Sequence, residues 1–390
     1  MKLFISPNDV LFFRDGRPFD AGSDNTARMI FPPSPTTFYG AIRTAIMSQK
    51  NVSFNKLKNS GILSEELNEV AIENDNRTLT ISDFGLARKI SSSIERIFPV
   101  PSDIVKEKER ENFYTVTPKT LDNLVSNFPN ESLLPLGFTD ESDKIFEACN
   151  EYFINENGLS AYLLKQPLDK DHFIRKEKVF TADSRIGIKR NNNTFSSEEG
   201  FIYSLEFAHL CKEYGLSNKE FGFVIEINSQ LLNTTDAELK ALRLGGESRS
   251  AFYEEEVENW KEVAKPDIKN KFKLILLTPA VFENGWIPDG LCDINVDGKK
   301  VLQGEINGAK VKLISAVVDR YIGIGGWDIL NRKSKPLKRS VQAGTVYFFE
   351  SIDGKNFNQD DVYNKLFMKS IIKDKNLQKE GLGLTIIGVW

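Results

Sequence analysis

Histidine is nearly absent from this chain of 390 residues: His172 and His209 are the only two. A zinc site built on several imidazoles is therefore out of reach. General acid–base work by histidine has two candidates, both better explained by structural or solvent-facing roles. Cysteine is scarce as well. Cys149, Cys211 and Cys292 lie far apart without CxxC spacing, and an odd number of thiols fits a reducing cytoplasm better than a disulfide framework. No metal and no cofactor are expected. No stretch approaches the roughly 18 apolar residues of a membrane span, and Pro7 cuts the opening run MKLFISPND before it could form a signal-peptide core. The expectation is a soluble, cytoplasmic protein with no membrane partner. Positive charge is not in excess either. Lys and Arg number 51 against 55 Asp and Glu, a net −4 and a pI near 5.6, so any nucleic-acid surface must be a local patch on an acidic background.

What the chain does have is ordinary globular composition, 40% hydrophobic and 27% charged, over a length that suits two or three domains, each able to bury a core. Its first informative stretch is NDVLFFRDGRPFDAG, residues 8 to 22. Asp15-Gly16 is a strong turn dipeptide, because glycine accepts the positive φ such turns demand. Arg14 and Arg17 then stand on the rim of the turn, backed by Phe12, Phe13 and Phe19, which suits a planar or anionic partner. A surface hairpin with solvated arginines is the competing reading.

KLFIS, residues 2 to 6, reads as a first strand. In PPSPTTFYGAIRTAIM, residues 32 to 47, Ser34 can cap a helix and Pro35 is acceptable at its first position. Phe38, Ala41, Ile42, Ala45 and Ile46 recur at helical spacing and make one buried face. The opposite face carries Thr36, Gly40 and Arg43, a small-residue groove beside a cation. From about residue 51 to 175 the pattern loosens into short helices and polar loops, with KEKERE at 106 to 111 as solvated surface, and reads as an insertion. Residues 178 to 207 suggest a long hairpin with an Asn-rich tip. In EFGFVIEI, residues 220 to 227, Phe221, Phe223, Ile225 and Ile227 share a strand face. TTDAELKAL, residues 234 to 242, reads as a capped helix, and RLGGESRSAFYEE as a strand.

The resulting order, β-α-(insertion)-β-β-α-β, is the ferredoxin-like or split βαβ arrangement. Residues 256 to 270 read as a linker. A second unit of similar order follows: a strand in KFKLILLTPAVF, a helix-poor crossover through GWIPDG, strands in AKVKLISAVVD and GTVYFFE, a helix at 362 to 372, and a last strand in LGLTIIGVW. The expected fold class is α+β, with two tandem ferredoxin-like, RRM-like domains at 1–258 and 259–390. The first carries the insertion at about 51–175 and a protruding β-hairpin.

Several motifs bear on function. KEFGFVIE at 219 to 226 matches much of the RNA-recognition signature, whose aromatics stack on bases, but Ile225 and Ile227 on the same face argue for a core-facing row. GIGGW at 323 to 327 and GLGLTIIG at 381 to 388 look like dinucleotide fingerprints, yet the second leaves no room for the helix that would hold a pyrophosphate. Such a loop can still offer backbone N–H groups to a phosphate, or be only a tight turn. Basic residues cluster in NRKSKPLKR, with Lys338 and Arg339, and along the hairpin at Arg185, Lys189 and Arg190. Separated cations of this kind suit a phosphate backbone as well as a solvated loop. LGGESR, residues 244 to 249, sets Gly245 and Gly246 beside Arg249, either as a bulge with a local ion pair or as part of a site.

Taken together, DVLFFRDGRPFDAG, PPSPTTFYGAIRTAI, LGGESRSAF, QAGTVYFFE and the terminal GLGLTIIGVW resemble the third-subunit family of the Cmr module of type III-B CRISPR effector complexes. That family is the crRNA-tag-binding branch of the RAMP superfamily. The resemblance covers about the first fifty residues and scattered blocks from residue 183 onward, and leaves 51–175 outside. It implies tandem ferredoxin-like domains and a non-catalytic subunit of an RNA-guided antiviral complex. Such a subunit binds and caps the 5′ tag of the crRNA and docks on the large polymerase–cyclase subunit. It adjoins the first backbone RAMP subunit, with target RNA nearby. A thumb hairpin that displaces a nucleotide is part of the expectation, and DSRIGIKRNNNT is its candidate. Arg14 and Arg17 are expected to grip the tag, with Thr36, Thr37, Gly40 and Arg43 and the Gly381–Gly383 loop lining the same cleft. Gly245, Gly246, Arg249, Lys338 and Arg339 complete the expected RNA-binding set. The alternative is an endoribonuclease of the same superfamily that processes CRISPR repeat RNA. Scarce histidine counts against its general base without excluding Lys or Tyr. A nucleotide-dependent enzyme, the third reading, would need dinucleotide binding.

Overall fold

The computed structural model describes residues 1–15, 26–52, 65–70, 77–91, 93–120, 132–138, 144–213, 219–236, 240–256, 262–328 and 331–390. Antiparallel sheets dominate it and helices are few. The elements used below, in chain order, begin with β1 (Lys2–Pro7), β2 (Thr26–Ala27), α1 (Pro35–Gln49), β3 (Ile81–Ile90), β4 (Ser93–Pro99) and β5 (Tyr152–Asn155). Next come α2 (Glu156–Leu163), β6 (Phe173–Arg175), β7 (Phe180–Arg190), β8 (Ser197–Leu210), β9 (Lys219–Ile227), β10 (Ala241–Arg243) and β11 (Ser250–Glu255). The remainder are β12 (Lys271–Leu276), β13 (Leu291–Val296), β14 (Lys299–Ile306), β15 (Ala309–Val317), β16 (Val346–Ser351), α3 (Gln359–Leu366), α4 (Lys375–Lys379) and β17 (Thr385–Gly388).

The N-terminal sheet runs in the order β6-β5-β4-β3-β9-β1-β11-β10, with Lys212–Glu213 pairing beside β9. At its centre β9 is buried on both faces, and Phe221, Phe223, Ile225 and Ile227 all enter the core. The Phe223 ring meets Phe38 and Phe84, and Phe221 is buried in the same core, so neither offers a base-stacking surface. Helix α1 covers this face as its spacing predicts. The Ser34 side chain accepts a hydrogen bond from Thr36 N at 3.4 Å, and Phe38, Ala41, Ile42, Ala45 and Ile46 are buried. Each large apolar side chain so buried contributes about 1.5–3 kcal/mol. The reverse face holds Phe4, Ala87 and Val224 beside a buried ion pair, Arg96 to Asp83 at 2.6 Å.

The C-terminal sheet has the order β13-β14-β15-β16-β12-β17. Both faces of its strands β15, β16, β12 and β17 are covered, whereas β13 is exposed at all but Leu291. Phe272, Leu274 and Leu276 point to a cluster closed by Val362 and Leu366 of α3. Ile275, Val346, Phe348 and Ile386 point to another, shared with Phe98, Tyr152, Leu159 and Leu163 of the N-terminal half. Within that shared core Lys273 Nζ lies 3.1 Å from Asp103 Oδ2 and 3.5 Å from the Tyr162 ring centroid, and Tyr162 donates to Asp103 Oδ1 at 2.5 Å. All three side chains are buried, and burial pushes the Lys273 pKa down against the pull of Asp103.

Several expectations need correction. Residues 51–175 are not merely short helices and loops, because they supply β3 and β4 next to the central strand and β5 and β6 at the border. KEKERE is only partly a solvated run: Ile104–Glu107 is a strand, and Glu107 is buried. The described residues within 234–242 contain no helix, and Ala241–Arg243 instead pairs with β11. The alanine, leucine and lysine there favour a helix in isolation, but an unpaired sheet edge offers backbone hydrogen bonds that outweigh so small a preference. The described part of the expected linker is also packed, with Val263 and Ile268 buried and Tyr363 donating to Pro266 O at 2.6 Å. The helix expected at 362 to 372 spans Gln359–Leu366.

Candidate nucleic-acid interface

β7 and β8 form the long hairpin, paired from Phe180 with Leu210 out to Arg190 with Ser197. Its root is fastened to the body by a bridge in which Leu11 and Ala208 exchange hydrogen bonds of 2.8 and 2.7 Å. Phe31 also packs on Phe180 with ring centroids 4.0 Å apart. At this root Phe207 meets the Phe12 ring at 5.1 Å, and two guanidiniums, Arg185 and Arg249, each lie 4.8 Å from its centroid. Arg185 donates to Asp183 at 2.7 and 3.0 Å, and Arg249 reaches Asp9 at 3.4 Å. Two cations on one ring need a backbone that can approach closely, and Gly245 and Gly246 allow it. A Cβ on Gly245, where φ is +80°, would stand 2.4 Å from Phe12 O, and one on Gly246 would stand 2.7 Å from the Phe12 ring. Gly246 N donates to Phe12 O at 2.8 Å.

Arg14 joins the same neighbourhood. It forms a backbone bridge with Met29, whose N–H donates to Glu206 of β8 at 3.3 Å, and β2 runs parallel to β8 at Ser204 and Leu205. Phe12 and Phe13 are buried behind it, as expected. Arg17 and Phe19 lie outside the described residues. Three chain segments, residues 9–15, 183–207 and 245–249, thus meet at one place.

Farther out, strand alternation gives the hairpin two unlike faces. Ile186, Ile188 and Ile202 share one and are 78%, 53% and 57% exposed. Arg185, Gly187 and Lys189 share the other, with Tyr203 paired opposite Gly187. The tyrosine ring lies over this glycine so closely that a Cβ there would meet it at 2.2 Å. At the end, Arg190 sits 5.2 Å from the Phe195 ring, and the Asn191 side chain accepts from Asn193 N and Thr194 N.

A second group forms on α1. Thr36 and Thr37 are half-buried at its start, and Gly40 is exposed, where a methyl group would find no neighbour within 4 Å. Arg43 donates from Nε and Nη2 to Val70 O at 3.3 and 3.0 Å. Burial, then repulsion from Arg77, lowers its pKa to about 10, against the pull of Tyr39, Glu380 and Asp328. The facing Glu380 is buried, which raises its pKa, while Lys335, Arg77 and Arg43 oppose the rise. Gly381 brings this carboxylate close: at φ +85° its Cα approaches Ile81 and Pro35 so nearly that a Cβ would lie 2.8 and 3.3 Å from them.

The glycine loop itself is not an open phosphate cradle. The N–H groups of Gly381, Leu382 and Gly383 donate to Gln378 O, Leu377 O and Pro279 O, and that of Leu384 donates to the Thr278 hydroxyl. Gly383 is buried against Ile372 and Ser370, away from α1. Lys338 pairs with Asp374 at 2.8 Å. Arg339 lies 4.8 Å from the Tyr321 ring and lines a separate cleft of about 570 Å³ with Trp286 and Asp319. The predicted residues therefore divide among a hairpin root, the α1 surface and the C-terminal sheet.

Across residues 3–390 the sequence matches the family model described as CRISPR-associated protein (Cas_Cmr3). The chain belongs to the Cas_Cmr3 family. This is the third-subunit family of the Cmr module, whose motifs are spread over the chain. No curated protein matches the sequence. Among solved structures, the chain is similar to one in the type III-B Cmr-beta complex bound to cognate target RNA, solved with and without AMPPnP. In both cases identity is 16%, coverage is 89% of this chain and 86% of the other, and the TM-score is 0.47. A chain in the Csm1-Csm4 cassette in complex with pppApA is similar at 12% identity, 88% and 86% coverage and a TM-score of 0.31.

Sequence reasoning missed Phe207, Tyr203, Arg77 and Glu380 in this Cas_Cmr3 family chain. For the first two a signal existed, since Tyr203, Leu205 and Phe207 alternate on one face of a strand whose partner carries Arg185 and Lys189. Arg77 and Glu380 carry no local pattern; the packing of Gly381 on Pro35 brings Glu380 to Arg43, and Arg77 reaches it from the segment before β3. Among the described residues no helix is long and apolar enough to cross a membrane.

Proposed function

We propose that this chain is the guide-holding subunit of a type III-B Cmr effector complex. In this reading it binds and caps the 5′ tag of the crRNA, docks on the large polymerase–cyclase subunit beside the first backbone RAMP subunit, and has no catalytic turnover. The two sheet cores are read as tandem ferredoxin-like RAMP domains, at 1–258 and 259–390. The chain works in the cytoplasm, with target RNA close to the hairpin.

One observation carries the reading beyond family membership: Arg185 and Arg249, remote in sequence, meet on the Phe207 ring at the root of a protruding hairpin, where the backbone of Arg14 bridges Met29 beside β8. Separated cations follow a phosphate backbone, and aromatic rings beside them stack on unpaired bases without reading sequence. Tyr203, laid flat over Gly187 between Arg185 and Lys189, extends that surface toward the tip. The Ile186, Ile188 and Ile202 face can then press on the strand as a thumb that displaces a nucleotide.

The test is the double variant Arg185→Ala, Arg249→Ala in the assembled complex. Tag-RNA affinity is expected to fall about tenfold and the salt slope to shrink by about one to two, with little change in Tm. Unchanged affinity and slope would take the hairpin root out of the RNA path. Incubation of the purified chain with repeat RNA tests the other half of the reading, since specific scission without other subunits would show an endoribonuclease instead.

A further inference from the structure

A second concave site lies at the β5–β6 border of the N-terminal sheet, in the part of the chain that the sequence motifs left unassigned. Its volume is about 380 Å³, within the range of small-ligand pockets and larger than a lone phosphate requires. Four cations line it, Arg88, Lys170, Arg175 and Lys178, against two carboxylates, Glu111 and Asp171. In a chain of net charge −4 this is a local reversal of sign, and low-dielectric walls concentrate its field. The walls are aromatic. Phe113 and Phe173 stack at 3.6 Å, and Tyr152 meets Phe113 edge-on at 5.4 Å.

The cations differ in how they are held. Arg88 is paired with Glu95. Arg175 donates to Glu111 Oε1 at 2.9 Å, and Tyr152 donates to the same oxygen at 3.2 Å. These two bonds hold the Glu111 pKa below its ordinary value. Glu111 is half exposed and follows the exposed turn at 108–110, so an incoming anion can take its place on Arg175. Lys170 and Lys178 are exposed and, among the described residues, form no salt bridge with a carboxylate. Two ammonium groups thus flank a guanidinium whose present partner is an exchangeable carboxylate, an arrangement suited to a doubly charged oxyanion.

We infer that this pocket binds a phosphate-bearing anion of about nucleotide size, with Lys170, Lys178 and Arg175 on the phosphate. The phosphate can belong to a free nucleotide or to the 5′ end of an RNA, and the chemistry at the protein is the same. The inference does not depend on the hairpin-root reading, because the residues and the cavity are different.

Calorimetric titration of the full chain with pyrophosphate, AMP and a 5′-phosphorylated RNA dinucleotide tests it. At least one probe is expected to bind, and Lys170→Ala with Lys178→Ala should weaken it about tenfold. Both lysines are exposed, so an unchanged Tm is the control for folding. The double variant Arg185→Ala, Arg249→Ala should leave this binding intact. AMP binding as tightly as the dinucleotide assigns the site to free nucleotides, whereas a dinucleotide preference that vanishes without its 5′ phosphate assigns it to an RNA end. Absence of binding by all three probes at millimolar concentration overturns the inference. So does binding that is indifferent to the lysine pair.

Discussion

The two sheets of this molecule share a strand order and differ in everything attached to it. In the N-terminal sheet, β3-β9-β1-β11 places the first strand between the third and fourth, with the second outside the third; β15-β16-β12-β17 repeats that order in the C-terminal sheet. The helix that follows the first strand exists only in the N-terminal half, as α1. A helix after the third strand is described only in the C-terminal half, as α3. Where a helix is lacking, other material takes its place: β13 and β14 in the C-terminal half, and the β10 edge strand in the N-terminal half. One strand order therefore fixes which strands are central, while the connections decide whether a face is closed or presents groups outward. The central strands of the C-terminal sheet are closed on both faces, and the glycine loop that leads into β17 is buried. The N-terminal sheet carries the hairpin with its outward cations and isoleucines.

The largest test of this contrast is the seam between the halves. Asp103→Ala leaves Lys273 buried without its carboxylate, and a loss of about 3–5 kcal/mol in urea unfolding is expected. A loss below about 1 kcal/mol would mean that the seam contributes little to stability. Gly245→Ala probes the outward half. Its positive φ and the approach to Phe12 O should cost about 1–3 kcal/mol and displace Arg249 from Phe207, lowering tag-RNA affinity as well. Gly40→Ala is the smallest and sharpest comparison. No packing requires this glycine, so alanine should stabilise α1 by about 0.5–1 kcal/mol. If an RNA backbone passes along that face, the same methyl should weaken binding while it raises Tm. A gain in both would leave Gly40 outside the interface.

Much of this was legible in the sequence where one local pattern governed the outcome. The Ser34 cap with Pro35 and the spacing of Phe38, Ile42 and Ile46 gave α1, and alternation through Phe221 and Ile227 gave β9. The hairpin was legible from two β-rich runs around an Asn-rich tip. What stayed hidden is set by partners distant in the chain. β3 takes its place at the centre of the sheet through pairings such as Leu86 with Phe223, which no short window contains. The glycines of 381–383 looked like an anion loop because sequence shows a glycine but not the carbonyl that its N–H finds.

The apolar cluster common to both sheets has a bearing on how such a chain can be handled or inherited. Severed between β11 and β12, each piece would bare one wall of that cluster: Leu159, Tyr162 and Leu163 on one side, Ile275, Phe348 and Ile386 on the other. Each fragment alone is then expected to associate with the other or to aggregate through that exposed wall. The two halves are therefore expected to fold and stay stable as one unit rather than as separable pieces.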